Sequence, residues 1–179
     1  KIARPVIVRV MDGERELVSW RVSVIPDTPP TVAFTKEPEA DASGTLTAFW
    51  KLTDDYGVTG LSSEISLSDE QEDGLGFASN GVFLYDAPKF PVSLRKASPK
   101  LEEGKATADL TAHPWAGFMV DLVLEARDAA GHATPSEVKR FKLPERLFLK
   151  PLARALIEQR KQLILDPDNG PDVSKMLQA

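Results

Sequence analysis

The fold is decided by the stretch FMVDLVLEA at residues 118–126. Apolar side chains recur there at every second position: Phe118, Val120, Leu122, Leu124 and Ala126. Successive side chains on a strand point to opposite faces of the sheet, so all five lie on one face. The stretch therefore predicts a β-strand with one face buried in a core.

The same alternation recurs on both sides of this stretch. About seven strands separated by turn signals, among them Asp55-Tyr56-Gly57 and Ala130-Gly131, are typical of an immunoglobulin-like or fibronectin-like β-sandwich. The predicted fold class is therefore mainly β, followed by a C-terminal helix. The other predicted strands begin at Val32 and Phe34 and continue at residues 45–52, 61–67, 90–94, 106–110 and 138–143, the last of them irregular or at an edge.

The N-terminal part predicts a β-hairpin, because two alternating runs flank an Asp12-Gly13 turn. Trp20 in the hairpin and Trp50 further on both fall on the apolar phase of their strands, which predicts core positions. Three prolines follow within residues 26–30, and they cannot donate the hydrogen bonds of a central strand. We assign residues 1–29 to the last hairpin of a preceding sandwich plus a linker, and residues 30–145 to the main sandwich. The alternative is that the hairpin belongs to the same sandwich.

From residue 146 to residue 179 the sequence predicts the start of a helical region. The apolar period changes from two to about 3.6 residues, which indicates a helix over residues 150–165 that Pro167 ends. Its apolar stripe needs a cover, and we expect a partner protein, another domain or a second copy of the chain rather than its own sandwich. The candidate interface residues are Leu152, Leu156, Ile157 and Leu163, with Leu149 and Ile164 beside them.

Composition excludes several classes of function. The net charge of −5 repels phosphate, so nucleic acid is not an expected partner. The absence of cysteine excludes disulfides, thiolate nucleophiles and thiolate metal sites. No apolar run reaches the roughly 20 residues of a membrane span. We expect the chain to be part of a longer protein, with any targeting segment outside it.

No catalytic constellation accompanies His113 or His132, so we expect no enzymatic activity and no cofactor. Asp54, Asp55 and Asp128 follow predicted strands and are candidate calcium ligands, since calcium prefers clustered oxygen atoms. Aspartate is also favoured in turns, where its side chain hydrogen-bonds its own backbone, and we expect that role for these three.

Three aromatic residues are candidates for a binding surface: Phe49, which lies on the polar phase of its strand, Tyr56 and Trp115. For Phe49 we favour contact with a neighbouring domain. A stacking surface for cell-wall glycan is the alternative.

Five stretches resemble an uncharacterised alphaproteobacterial family of large envelope proteins, domain of unknown function 4175: IPDTPP (25–30), DDYGV (54–58), LYDAP (84–88), HPWAG (113–117) and KPLARALIEQR (150–160). The resemblance implies an N-terminal membrane anchor outside this chain, a periplasmic location for the sandwich and a long helical region after it. It implies no catalytic residues. The expected function is a non-enzymatic spacer and docking module, with glycan binding as the alternative.

Overall fold

The computed structural model describes residues 4–69, 71 and 85–165. Three antiparallel sheets and one C-terminal helix make up this part of the chain, so the mainly β prediction is confirmed. The elements are β1 (Val6–Asp12), β2 (Arg15–Val22), β3 (Thr31–Phe34), β4 (Glu39–Ala40), β5 (Thr45–Thr53), β6 (Val58–Leu67), β7 (Leu101–Asp109), β8 (Met119–Asp128), β9 (Ala133–Pro135), β10 (Lys139–Lys142) and α1 (Pro151–Leu165).

The predicted hairpin is present as β1 and β2, which form a two-stranded sheet of their own. Its loop lies one residue later than predicted, at Gly13-Glu14, because Asp12 pairs with Arg15. Gly13 occupies the left-handed backbone region at φ 60°, which glycine adopts without a steric penalty. The prediction that Trp20 is a core residue is wrong, since 52% of it is exposed. Alternation identifies the apolar face of a strand, but it does not show whether anything covers that face.

The other two sheets enclose one core. β3, β5 and β7 are neighbours in the first sheet, and β6, β8 and β10 in the second. This is the arrangement of strands A, B and E facing strands C, F and G in an immunoglobulin-like sandwich. The inward side chains are those that the alternation predicted, including Trp50, Leu52, Leu122 and Leu124.

The strand predicted at residues 90–94 is wrong, because the segment has no strand structure and pairs with no strand in the part of the chain that the structure describes. Phe90 is nevertheless buried in the core, and Val92 and Leu94 pack against it. Pro88 and Pro91 lack the N–H groups that a strand ladder needs, so the segment keeps the alternation of a strand without its pairing.

The last predicted strand is irregular for an identifiable reason. β9 and β10 follow the same edge of β8 and are interrupted at Ser136. There the Leu124 N–H donates to the Ser136 hydroxyl oxygen instead of to a strand carbonyl. The acidic loop predicted over Ser68–Asn80 lies mostly outside the described residues, as do Pro167 and Pro171.

The predicted helix is confirmed as α1, with Pro151 at the first turn, where its missing N–H costs nothing. Our expectation that the helix would not dock on its own sandwich is wrong for its last turns. Ile164 is buried in the sandwich core, and Arg160 donates to the Ala116 carbonyl at 2.9 Å. The buried Lys161 forms an ion pair with Glu145 at 3.1 Å. A one-dimensional pattern cannot show that only one end of the stripe is covered.

Candidate functional site

Four aspartates and one histidine gather at one end of the sandwich: Asp27, Asp54, Asp55, Asp128 and His132, here called the aspartate cluster. Asp54 and Asp55 directly follow β5, and Asp128 ends β8. The register places Val58, at the start of β6, opposite Asp128, so the two strand ends meet. Asp27 comes from the proline-rich linker and reaches the same end.

Asp54 forms a tight turn between β5 and β6. Its Oδ2 accepts the backbone N–H groups of Tyr56 at 3.1 Å and Gly57 at 2.5 Å. Gly57 has φ 114° and lies against the Ser98 backbone, so no side chain fits at this position. The predicted turn-forming role of Asp54 is therefore confirmed.

Asp128 organises the turn between β8 and β9. Its Oδ1 accepts the N–H groups of Gly131 and His132 at 2.7 and 2.8 Å, and its Oδ2 lies 2.6 Å from His132 Nδ1. Burial favours the neutral acid, but the hydrogen bonds from His132 and Gly131 outweigh it and hold the pKa of Asp128 below its ordinary value. Asp128 is therefore stabilised as a carboxylate.

Asp27 experiences the opposite environment. Its Oδ2 lies 3.6 Å from His132 Nδ1, and burial together with the negative charges of Asp128, Asp55 and Asp54 raises its pKa, although His132 acts in the opposite direction. Asp27, Asp128 and His132 each offer a metal-ligating atom, and the three atoms lie within 4.8 Å of one another. One end of the sandwich therefore combines crowded negative charge with a compact set of ligand atoms.

Two further carboxylate oxygens of the aspartate cluster have no hydrogen-bond partner among the described residues. Asp54 Oδ1 and Asp55 Oδ1 are inaccessible to solvent and accept no hydrogen bond from the described residues. Asp54 as a whole is only 9% exposed. A buried polar atom without a partner loses its hydration without compensation, which costs about 1–3 kcal/mol.

Sequence reasoning found three members of the cluster and missed two. Asp54, Asp55 and Asp128 were named together as candidate calcium ligands, although we expected a turn role for them, and the structure brings them to one end of the sandwich. Sequence reasoning missed Asp27, because a linker residue gives no periodic signal. It also treated His132 as an isolated loop histidine, although the Gly131-His132 turn after β8 was visible in the sequence.

The three candidate aromatic residues do not form one surface. Trp115 is only 3% exposed, with its ring edge-on to His113 at 5.8 Å between centroids, so its prediction as a surface residue is wrong. Phe49 is half-buried, and Lys36 Nζ lies 4.8 Å from its ring centroid. Tyr56 is exposed, with Lys100 Nζ at 5.8 Å. The loop around Trp115 has no periodicity from which burial could be predicted.

The helix residues predicted as an interface differ in exposure. Leu152 and Leu156 are exposed, whereas Ile157 and Leu163 are half-buried. The exposed ones lie in the first half of α1, away from the turns that dock on the sandwich. This half remains the candidate interface for a further partner.

The family model described as domain of unknown function (DUF4175) matches residues 1–179. The chain belongs to the DUF4175 family. Neither a curated protein nor a solved structure matches it. In the described residues of this DUF4175 chain, no helix is both long and apolar enough to cross a bilayer.

The pKa shifts of the aspartate cluster predict opposite effects for two similar substitutions in the DUF4175 chain. The pKa of Asp128 is lowered on folding, so its charge stabilises the fold above the unfolded-state pKa, about 4, and that contribution is lost as the pH falls through the folded-state pKa. The pKa of Asp27 is raised, so its charged form is unfavourable in the folded protein at neutral pH.

In urea denaturation at pH 7 without metal ions, Asp128→Asn should therefore lower the free energy of unfolding, while Asp27→Asn should leave it unchanged or raise it. The difference between wild type and Asp128→Asn should shrink below about pH 4. A pH-independent difference, or equal destabilisation by both variants, would contradict the assignment of these environments.

Proposed function

We propose that this chain is a non-enzymatic spacer and docking module of a membrane-anchored bacterial envelope protein, located on the periplasmic side. The observation that carries the docking function is the apolar face of the hairpin. The anchor, the periplasmic location and the alphaproteobacterial origin are supported by the resemblance of the five sequence stretches.

The hairpin presents a continuous apolar face. Val8 pairs with Trp20 and Val10 with Val18, so their side chains share one face of the sheet. All four are exposed. An isolated two-stranded hairpin is marginally stable in water, and exposed apolar clusters of this kind mark interaction sites. We propose that another part of the parent protein covers this face.

The spacer function is supported by where the two flanking segments meet the sandwich. Asp27 in the hairpin linker contacts His132, beyond the last residue of β8. Arg160 of α1 contacts Ala116, before the first residue of β8. A strand of this length extends about 30 Å, so the sandwich separates the two attachments by that distance. The exposed Leu152 and Leu156 provide a second candidate docking surface on α1.

Glycan binding is supported less well than docking. Of its three candidate aromatics, Trp115 is buried, and the rings of Phe49 and Tyr56 each face a lysine ammonium group. Such cation–π pairs are common on protein surfaces and need no ligand. We therefore propose docking as the function.

Cysteine labelling tests the docking function. The chain contains no cysteine, so an introduced thiol reports on one position, provided that any cysteine elsewhere in the parent protein is replaced. Val18→Cys probes the apolar face, and Ser19→Cys is the matched control, because adjacent strand residues point to opposite faces. Both thiols should react freely with a maleimide in the isolated chain.

In the parent protein, modification of Val18→Cys should be at least about tenfold slower than in the isolated chain, since a burial free energy of only 1.4 kcal/mol changes an equilibrium tenfold. Modification of Ser19→Cys should slow much less. Equal rates for Val18→Cys in the isolated chain and in the parent protein would contradict the proposed cover.

A further inference from the structure

We propose that the aspartate cluster binds one zinc-type divalent cation through the carboxylates of Asp27 and Asp128 and the imidazole of His132. This inference is independent of the docking function. It assigns a metal site to the junction between the linker and the sandwich.

The ligand atoms are almost in place. Zinc binds histidine nitrogen and aspartate oxygen at about 2.0–2.2 Å, so two of its tetrahedral ligand atoms lie about 3.3 Å apart. The distance from His132 Nδ1 to Asp27 Oδ2 is 3.6 Å, and that to Asp128 Oδ2 is 2.6 Å. Binding would replace the hydrogen bond between His132 and Asp128. The distance between their two ligand atoms would increase by less than 1 Å. The turn after β8 already holds Asp128 Oδ1, which leaves Oδ2 for the metal.

The negative charge gathered at this end of the sandwich also favours a cation. Asp54 is nine-tenths buried, and its Oδ1 accepts no hydrogen bond from any described residue. Asp55 Oδ1 is also inaccessible and accepts no hydrogen bond in the described part of the chain. Both carboxylates lie within electrostatic reach of Asp27. Across the described ranges, His132 is the only basic side chain that contacts a carboxylate of the cluster, and it contacts those of Asp27 and Asp128. A divalent cation would compensate this excess charge.

The central position of His132 favours zinc over calcium. Calcium selects oxygen ligands, and the candidate set from the sequence, Asp54, Asp55 and Asp128, contains only oxygen. The structure instead gathers two carboxylates around an imidazole nitrogen, a mixed set that suits zinc and related transition metals. Asp54 and Asp55 then contribute negative charge around the site.

Metal binding would connect two parts of the chain. Asp27 belongs to the linker that carries the hairpin, whereas Asp128 and His132 belong to the sandwich. A bound ion would fix the linker to the end of β8 and so restrict the direction in which the hairpin leaves the sandwich.

Isothermal titration of chelator-treated protein with Zn²⁺ tests the proposal. We expect one ion per chain and a higher melting temperature with Zn²⁺, because a ligand that binds only the folded state stabilises it. Asp27→Asn and His132→Ala should each weaken binding by at least about 10–100-fold, the range measured for residues that only support metal ligands. His113→Ala is the matched control, since it removes the other histidine, and it should leave Zn²⁺ affinity unchanged.

Asp27→Asn keeps the test interpretable, because Asp27 accepts no hydrogen bond in the described part of the chain. We therefore expect this variant to fold, which circular dichroism checks. If titration with Zn²⁺ gave no heat of binding, the proposal would be overturned. It would also be overturned by Zn²⁺ affinity that survives in both Asp27→Asn and His132→Ala, or by a melting temperature that rises with Ca²⁺ but not with Zn²⁺.

Discussion

Replacing Trp50 with alanine should lower the free energy of unfolding by about 3–5 kcal/mol, the range found for large aromatic residues removed from cores. Trp50 is 2% exposed in the centre of β5. Its ring fills the space that Gly104, its partner on β7, leaves by lacking a side chain. Alanine would leave a cavity between the two sheets that the rigid strand pair cannot close. Equilibrium denaturation in urea measures the change.

Trp20→Ala provides the matched control, because it removes the same side chain from an exposed strand. It should change the free energy of unfolding of the isolated chain by no more than about 0.5 kcal/mol. Gly104→Ala tests the same contact from the other side. Its β-carbon would meet the Trp50 ring, so we expect a loss of about 1–3 kcal/mol by overpacking. Similar losses for Trp20→Ala and Trp50→Ala would contradict the burial of Trp50 and the exposure of Trp20.

The two tryptophans show which part of the fold is encoded locally. Both lie on the apolar phase of an alternating strand, and the pattern correctly identified the strands. Burial of Trp50 depends on Gly104, more than fifty residues away, and on a second sheet facing β5. Trp20 has no such cover among the described residues. Alternation thus predicts the apolar face, whereas its burial depends on distant partners that the local sequence does not contain.

Residues 90–94 show a different limit. Their alternation reports correctly that Phe90 points into the core. It predicts the wrong secondary structure, because alternating burial requires only an extended backbone, whereas a strand also requires N–H groups that are free to pair. Pro91 removes one of those groups within the segment, and Pro88 removes another just before it. The proline positions were available in the sequence and should have decided the assignment.

The aspartate cluster depends on contacts that are distant in sequence. Asp27 and His132 are separated by more than one hundred residues and meet only because the linker passes the end of β8. Turn chemistry predicted the local role of Asp54, because that role involves residues only two and three positions away. The mixed nitrogen and oxygen ligand set depends on the tertiary fold, and so the sequence alone offered only an all-oxygen set of candidate ligands.

Removing the Ile164 side chain should be the second most costly change, with Ile164→Ala lowering the free energy of unfolding by about 2–5 kcal/mol. Ile164 is 2% exposed and belongs to the sandwich core, although it lies on α1. Arg160 and Lys161 fix the same end of the helix through Ala116 and Glu145. Losing the Ile164 side chain should therefore lower the stability of the helix and of the sandwich together. Urea denaturation monitored by circular dichroism would detect this loss.

Leu152→Ala is the control on the same helix, because Leu152 is 73% exposed. In a monomeric chain it should change the free energy of unfolding by no more than about 0.5 kcal/mol. Light scattering on Leu152→Glu/Leu156→Glu then tests whether the exposed half of α1 joins two copies of the chain. If it does, the wild-type mass should exceed one chain and the double variant should be monomeric. Equal small effects of Ile164→Ala and Leu152→Ala would contradict docking of α1 on its own sandwich, because a buried isoleucine cannot be removed from a shared core without cost.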